Sequence, residues 1–125
     1  MTGRCRGFTL IELLVVMAII ATLLTIAVPR YIHSIQRSKE AVLKQDLTAL
    51  RESIDKFYGD TGKYPQTLML LVEKHYLRKI PVDPITNAAD KWILVSADDP
   101  EDNGIKDVMS SAEGTGENGA PYASW

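Results

Sequence analysis

The pattern of hydrophobic positions divides the chain into a long apolar run and a more polar remainder. Residues 8–28 hold 17 apolar residues out of 21, whereas residues 29–125 hold 38 out of 97. A 21-residue helix is about 31 Å long, close to the roughly 30 Å hydrocarbon core of a bilayer. Arg4 and Arg6 precede the run and, by the positive-inside rule, keep the N-terminus in the cytoplasm. The pattern predicts one membrane span followed by a domain on the far side.

Two other interpretations of the apolar run are less favoured. A cleavable secretory signal usually has an apolar core of about 7–15 residues and a small-residue cleavage site, and this run is longer and continues into Pro29-Arg30. A buried core helix that is apolar on every side would need a large surrounding domain. The 97 remaining residues are too few and too polar to provide one.

A second hydrophobic pattern follows Pro29 and has the spacing of a helix. Apolar residues recur at steps of three, four and seven, which predicts a stripe along one face. Together with the apolar run, the stripe predicts a single helix from about Thr9 to Tyr58, ended by Gly59 and Gly62. The residues of the stripe are Ile32, Ile35, Val42, Leu43, Leu47, Leu50, Ile54, Phe57 and Tyr58.

The C-terminal half has short elements separated by turn residues. Gln66 to Lys74 predicts a short helix, and Trp92–Val95 and Ile105–Met109 predict two strands, the first of them buried. The acidic segment 98–104 between the strands reads as a turn, and the Gly- and Ser-rich residues 112–125 as a loop. The predicted fold class is α+β, with a long N-terminal helix, half in the membrane and half amphipathic, packed on a small C-terminal antiparallel sheet.

Charge and composition exclude several classes of function. The net charge is −2, with +4 on residues 30–79 and −7 on residues 80–125, so the two regions either attract each other or are separate solvated faces. A pI near 5.6 argues against nucleic-acid binding. The spacings Glu40–Lys44 and Glu52–Lys56 predict i,i+4 pairs on the faces outside the apolar stripe.

Candidate chemistry is sparse. Cys5 is the single cysteine, so no intramolecular disulfide can form. His33 and His75 are far apart and have no nearby nucleophile in the pattern, and the sequence contains no phosphate-binding glycine loop or zinc spacing. We therefore predict that the protein is not an enzyme and has no catalytic residues.

Glu12 is the exception within the apolar run. A charge at the centre of a membrane helix costs about 2.5–3.5 kcal/mol on insertion scales, so such residues are usually paired or functional. Glu12 lies one turn inside the predicted span, from where its side chain could also reach the interface. The residues alone leave both interpretations open.

The segment Gly7-Phe8-Thr9-Leu10-Ile11-Glu12, between a basic leader and a long apolar helix, resembles the class III signal of type IV pilins and type II secretion pseudopilins. The resemblance implies that a prepilin peptidase cuts between Gly7 and Phe8 and that Phe8 becomes N-methylated. It divides the chain into a cleaved leader (1–7), a transmembrane and assembly helix (8–29) and a periplasmic domain (30–125).

The same resemblance gives Glu12 and Pro29 roles in assembly. Glu12 is expected to pair with the N-terminal amine of a neighbouring subunit, which would compensate two charges that are costly in a low-dielectric medium. An intramolecular pair with Phe8, four residues earlier, stays open as the alternative. Pro29 is similar to the helix-kinking proline of the family, so the helix is expected to bend or melt near Val28–Arg30 in a filament.

Three C-terminal segments, GDTGKYP, LRKIPVDPITNAADKWILV and GIKDVMSSAEGTGENG, extend the resemblance to the major, G-type pseudopilins of type II secretion. This implies an inner-membrane, single-pass subunit that polymerises into a periplasmic pseudopilus and supports export of folded proteins. Its implied partners are copies of itself, minor pseudopilins, the inner-membrane secretion platform and the prepilin peptidase. Alternatives are a type IV or competence-type pilin, and a monomeric membrane-anchored periplasmic binding module.

The resemblance also raises the question of a calcium ion. G-type pseudopilins typically bind calcium in the C-terminal loop, and the candidate ligands here are Ser110, Glu113 and Asn118. Glu113 stands where an aspartate is expected, and Asn118-Gly119 replaces a second acidic pair. Calcium takes six to eight oxygen ligands, and fewer charges weaken the site. A structural calcium and a glycine-rich loop held by its own turns are both open.

Overall fold

The computed structural model describes residues 7–125, so most of the predicted leader, including Arg4, Cys5 and Arg6, lies outside the described residues. The chain forms two compact units, one that ends at Gln36 and one that spans Arg37–Trp125. The described residues contain two α-helices, two β-strands and a short 3-10 helix at Tyr122–Ser124. This confirms the predicted α+β fold class.

Helix α1 spans Leu10–Thr61 and contains 52 residues. It begins one residue later and ends three residues later than the sequence predicts. Gly59 lies inside the helix and does not end it. Gly62 does: its φ of 74° lies in the left-handed region, and its amide donates to the Tyr58 carbonyl at 2.8 Å. Glycine adopts this conformation without a steric penalty, which is why helices so often end at such a residue.

The first unit contains the apolar part of α1. Every large apolar side chain from Leu10 to Val28 is exposed, by 46 to 77%. By length and composition this is the one described helix that could cross a membrane, with a mean hydropathy of 2.7 over its most apolar 18 residues, none of them buried. Burying such a surface is favourable by about 25 cal/mol per Å², so an aqueous environment is a poor one for this segment.

The second unit forms its core on the C-terminal part of α1. The buried residues of the predicted stripe are Leu43, Leu47, Leu50, Ile54 and Phe57. They pack with Leu71 from α2 (Leu68–Glu73), with Trp92, and with Val108. The stripe is therefore confirmed at these five positions, but its other four members are exposed: Ile32, Ile35, Val42 and Tyr58.

Strand β1 (Ile93–Ser96) pairs antiparallel with β2 (Ile105–Met109), with Ile93 opposite Met109 and an irregularity between Val95 and Ser96. The prediction of a buried first strand is wrong, because Ile93 and Leu94 are 44% and 47% exposed. The apolar core side chains of the sheet come from β2 instead. Trp92, just before β1, is buried, and its indole N–H donates to the Pro81 carbonyl at 2.9 Å.

Candidate assembly site

The start of α1 is organised by Thr9 and Glu12. Thr9 precedes the first helical residue, and its Oγ1 accepts the main-chain amide of Glu12 at 3.2 Å. In return, Glu12 Oε2 accepts the main-chain amide of Thr9 at 3.0 Å. This reciprocal arrangement is a capping box, which satisfies two amides that the first turn of a helix leaves without partners. The Thr-x-x-Glu spacing in the sequence indicates a capping box, but our sequence analysis did not predict one.

The capping box determines where the Glu12 carboxylate lies. Its oxygen reaches back to the amide of Thr9, one residue away from the amide of Phe8. Gly7 and Phe8 are exposed and precede the helix, so the peptide bond between them lies outside regular structure. The geometry thus places Glu12 beside the end of the chain that cleavage after Gly7 would create.

Pro29 lies inside α1, which is assigned as one helix through this position. Proline has no amide hydrogen, so the carbonyl of Thr25, four residues earlier, loses its ordinary helical donor. Two threonine hydroxyls in the same segment bond within the helix: Thr22 Oγ1 donates to the Ala18 carbonyl, and Thr25 Oγ1 to the Ala21 carbonyl, both at 2.8 Å. These bonds satisfy polar groups that have no water to bond in a bilayer. Bending at Pro29 in a filament stays a prediction.

The three calcium candidates do not form a set of free oxygen ligands. Ser110 is fully buried, and its hydroxyl donates to Asp83 Oδ2 at 2.5 Å and accepts the Ala112 amide at 3.1 Å. Asn118 Oδ1 accepts the Ala120 amide at 3.1 Å, and Glu113 is exposed. Among residues 7–125 no three His, Cys, Asp or Glu side chains are grouped to hold a metal ion. This donor set falls short of the six to eight oxygens that calcium requires.

The residues after β2 are instead held by charged side chains of α1. Glu40, which is 7% exposed, accepts the Tyr122 hydroxyl at 2.8 Å and the Glu117 amide at 3.2 Å. Arg51 donates to Asp107 Oδ1 at 2.9 Å and to the main-chain oxygen of Trp125 at 2.6 Å. The sequence predicted an i,i+4 pair of Glu40 with Lys44, whereas the structure buries Glu40 against Glu117 and Tyr122. Sequence reasoning also missed Arg51.

Comparison with known proteins identifies the family. Residues 2–28 match the prokaryotic N-terminal methylation motif. The type II secretion system core protein G of Escherichia coli K12 is 30% identical, with 88% of this chain and 83% of that protein covered. The chain belongs to the core protein G family. The core protein G of Klebsiella pneumoniae is also 30% identical, over 98% of this chain and 95% of that protein.

The family match confirms the predicted pseudopilin role, and the type IV pilin alternative is less supported. The type IV major pilin protein PilA of Myxococcus xanthus is 44% identical, but over 49% of this chain and 28% of that protein. No solved structure matches the chain. The combination of the methylation motif and the apolar helix is typical of a membrane-anchored periplasmic protein. The core protein G relatives are structural pseudopilins.

Proposed function

We propose that this protein polymerises into the periplasmic pseudopilus of a type II secretion system and supports the export of folded proteins. The observation that carries the proposal is the apolar surface of α1 between Leu10 and Val28, whose large side chains are all at least 46% exposed. A surface of this extent needs lipid before assembly and other apolar helices after it. Both environments are available to a subunit that moves from a membrane into a helical filament.

We propose that processing creates the second assembly element. Cleavage after Gly7 would remove the leader and give Phe8 a positively charged amine, which N-methylation preserves as a cation. Residues 8–29 would then be the membrane and assembly helix, and residues 30–125 the periplasmic domain. The N-terminus lies in the cytoplasm before cleavage in this scheme, and the subunit is anchored in the inner membrane by a single span.

The Glu12 carboxylate suits the role of a partner for that amine. In a low-dielectric medium an uncompensated carboxylate is costly, and the Thr9 amide offers only partial compensation. The amine of a neighbouring subunit would neutralise the charge, and the pair would form at one axial position only. Glu12 would therefore set the axial register of the helices as well as favouring their association.

The remaining partners in this proposal are minor pseudopilins, the inner-membrane secretion platform and the prepilin peptidase. No nucleic acid is expected, since the pI is near 5.6. We also propose that the protein has no catalytic activity of its own. The alternative, a monomeric membrane-anchored binding module, makes a different prediction for Glu12, because such a protein does not need a charge at this position.

Two substitutions at Glu12 test the proposal. Glu12→Gln keeps an acceptor for the Thr9 amide and removes the charge, while Glu12→Ala removes both. We expect both variants to lose pseudopilus assembly, measured by cysteine cross-linking of neighbouring subunits, and to lose secretion into the medium. Glu52→Ala, an exposed glutamate of the same helix, is the control and should assemble normally.

If Glu12→Gln assembled and secreted normally, the proposed charge pairing would be contradicted. If both Glu12 variants functioned normally although no polymer formed, the monomeric anchored binding module would be favoured. The type IV pilin alternative is addressed by the neighbouring genes. Genes for a secretion ATPase and an outer-membrane channel would support the secretion role, whereas genes for pilus retraction would favour a pilus.

A further inference from the structure

The segment Ser110–Trp125, which we call the tail, contains all three candidate calcium ligands, yet it packs around a carboxylate of α1. The Glu40 carboxylate accepts two hydrogen bonds from the tail, from the main-chain amide of Glu117 and from the hydroxyl of Tyr122. Glu40 and Tyr122 are 7% and 3% exposed, so both groups are removed from water. A buried carboxylate needs donors of this kind, since without them its desolvation would cost several kcal/mol.

The polarity of these contacts is opposite to that of a cation site. Around a calcium ion a loop turns its carbonyl and carboxylate oxygens inward. Here the tail turns an N–H and an O–H toward Glu40. Of the three predicted ligands, Ser110 Oγ donates to Asp83, Asn118 Oδ1 accepts the Ala120 amide, and Glu113 is exposed. Two hydrogen-bonded donors directed at one carboxylate form a closed anchor that has no need of an ion.

The neighbouring charges on α1 reinforce this anchor. Arg37, three residues before Glu40, lies 3.4 Å from Glu117 Oε2, so the main chain and the side chain of Glu117 both contact the helix. Lys44, four residues after Glu40, places its Nζ 4.9 Å from the centre of the Trp125 ring. The residues at these helical spacings lie along one face. The tail is thus held along a charged stripe beside the apolar one.

The tail has internal bonds that complete its shape. The Gly116 amide donates to the Ala120 carbonyl at 2.9 Å, and the Tyr122 amide donates to the Gly114 carbonyl at 3.1 Å. The rings of Tyr122 and Trp125 meet edge to face at 5.1 Å. These turns bring the Glu117 amide and the Tyr122 hydroxyl to the same side of the tail, where Glu40 meets both.

We propose that Glu40 anchors the C-terminal loop of this chain in place of a calcium ion, and that the folded tail is independent of calcium. The proposal concerns the stability of the periplasmic domain and does not rest on the polymer function. It makes Glu40 and Tyr122 a long-range pair that fixes the loop on the helix, with Glu117 as the third member.

The first test uses the full chain in detergent micelles and needs no variant. Thermal unfolding is followed by circular dichroism in excess EGTA and again after calcium is added in excess of the chelator. We expect the two values of Tm to agree within about 1 °C, less than a lost hydrogen bond would shift them. A Tm that falls in EGTA by several degrees and returns with calcium would overturn the proposal.

The second test removes the anchor. Glu40→Ala should lower Tm by roughly 5–15 °C, because it leaves the Glu117 amide and the Tyr122 hydroxyl without their acceptor. Tyr122→Phe keeps the ring and deletes the hydroxyl, so it should give a smaller loss and remain folded. Glu52→Ala, an exposed glutamate twelve residues further along α1, should leave Tm within about 2 °C of the wild type.

Hydrogen exchange at the Glu117 amide provides the local readout. In the wild type, the Glu117 amide should be equally protected from exchange in EGTA and in calcium. In Tyr122→Phe, this amide should exchange faster, while the amides of β2 should keep their protection. Equal protection in the wild type and Tyr122→Phe, together with loss of protection in EGTA, would assign the loop to a metal ion and reject the carboxylate anchor.

Discussion

Thr9 and Glu12 cap the long helix reciprocally: the Glu12 amide donates to Thr9 Oγ1 at 3.2 Å, and the Thr9 amide donates to Glu12 Oε2 at 3.0 Å. The carboxylate proposed to bind a neighbour's amine is therefore already engaged within its own chain. Assembly would exchange one partner of Glu12 for another, or let the carboxylate keep both. The capped state also explains how a charge near the start of an apolar helix is tolerated before assembly.

Thr9→Ala separates capping from charge pairing. The substitution removes the hydroxyl that accepts the Glu12 amide and leaves the carboxylate in place, at a cost of about 1 kcal/mol in helix stability. We expect reduced but detectable assembly, measured by cross-linking between subunits, in contrast to the complete loss expected for Glu12→Gln. Thr9→Ser retains a hydroxyl and should assemble nearly as well as the wild type. Equal and complete losses in Thr9→Ala and Glu12→Gln would mean that assembly needs the cap as strictly as it needs the charge, contrary to this prediction.

Replacement by alanine is expected to have opposite effects at two glycines, Gly104 just before β2 and Gly59 inside α1. Gly104 lies against the main chain of Tyr64 so closely that an added Cβ would overlap its carbonyl, whereas Gly59 is inside the helix with no neighbour within 4 Å of the added atom. Gly104→Ala should destabilise the domain by about 1–3 kcal/mol through overpacking. Gly59→Ala should stabilise it by up to about 1 kcal/mol, because alanine is the better helix former.

Urea denaturation of the two variants measures both effects. Gly104 is tied to the same place by hydrogen bonds, since the Asp102 carboxylate accepts the amides of Tyr64 and Gly104 at 2.9 and 3.1 Å. The loop has little freedom to move away from the new methyl group. A loss below about 0.5 kcal/mol in Gly104→Ala would show that Tyr64 and its loop shift easily, contrary to this expectation.

The fold class was predictable because it depends on local periodicity. The apolar run and the apolar stripe after Pro29 each predict a helix from local spacing, without any information on distant contacts. Strand β2 was predicted with its observed bounds, Ile105–Met109. The exposure of Ile93 and Leu94 was not predictable, because an apolar strand pattern does not reveal how many layers will cover it.

The roles of Glu40 and Arg51 were not predicted because their partners are distant along the chain. Glu40 is 82 residues from its partner Tyr122, and Arg51 is 74 residues from Trp125. A charged residue between apolar positions of a helix is ordinarily solvated, so the spacing Glu40–Lys44 favoured a surface pair. By contrast, the capping box at Thr9 and Glu12 is local and was readable from the sequence alone. Long-range polar contacts leave no periodic signal.

Arg51 is expected to contribute substantially to the stability of the periplasmic domain. Its guanidinium reaches Asp107 Oδ1 at 2.9 Å, the Val108 carbonyl at 3.0 Å and the main-chain oxygen of Trp125 at 2.6 Å. A flat group with several fixed donors can make these bonds together, and a lysine cannot. We expect Arg51→Lys to lower the free energy of unfolding by about 1–3 kcal/mol, as measured by urea denaturation.

The matched control for Arg51 is Lys56→Met, an exposed cation one and a half turns further along the helix, which should change stability by less than about 0.5 kcal/mol. A wild-type stability in Arg51→Lys would show that one ammonium can replace the guanidinium, and hence that the bonds to Val108 and Trp125 contribute little.

Asp46 predicts a dependence of stability on pH. Partial burial, and secondarily the negative charge of Asp83, raise the pKa of Asp46 above its ordinary value of 3.8. Asp83 is itself almost fully buried, with one carboxylate oxygen bonded to the Ser110 hydroxyl and the other to the Ile85 amide at 2.8 Å. The folded protein therefore binds a proton at Asp46 more readily than the unfolded chain does.

The sign of the effect follows from linkage. Between the ordinary and the raised pKa the folded state holds more protons, so the contribution of Asp46 to stability falls as the pH rises through this window. Asp46→Asn removes the charge and should be more stable than the wild type at neutral pH. The difference in Tm should shrink as the pH is lowered toward about 4, near the ordinary aspartate value. Asp55→Asn, an exposed carboxylate of the same helix, should show no such narrowing. A constant difference across the range, or a less stable Asp46→Asn at neutral pH, would mean that the Asp46 charge is compensated by a partner and that Asp83 does not repel it.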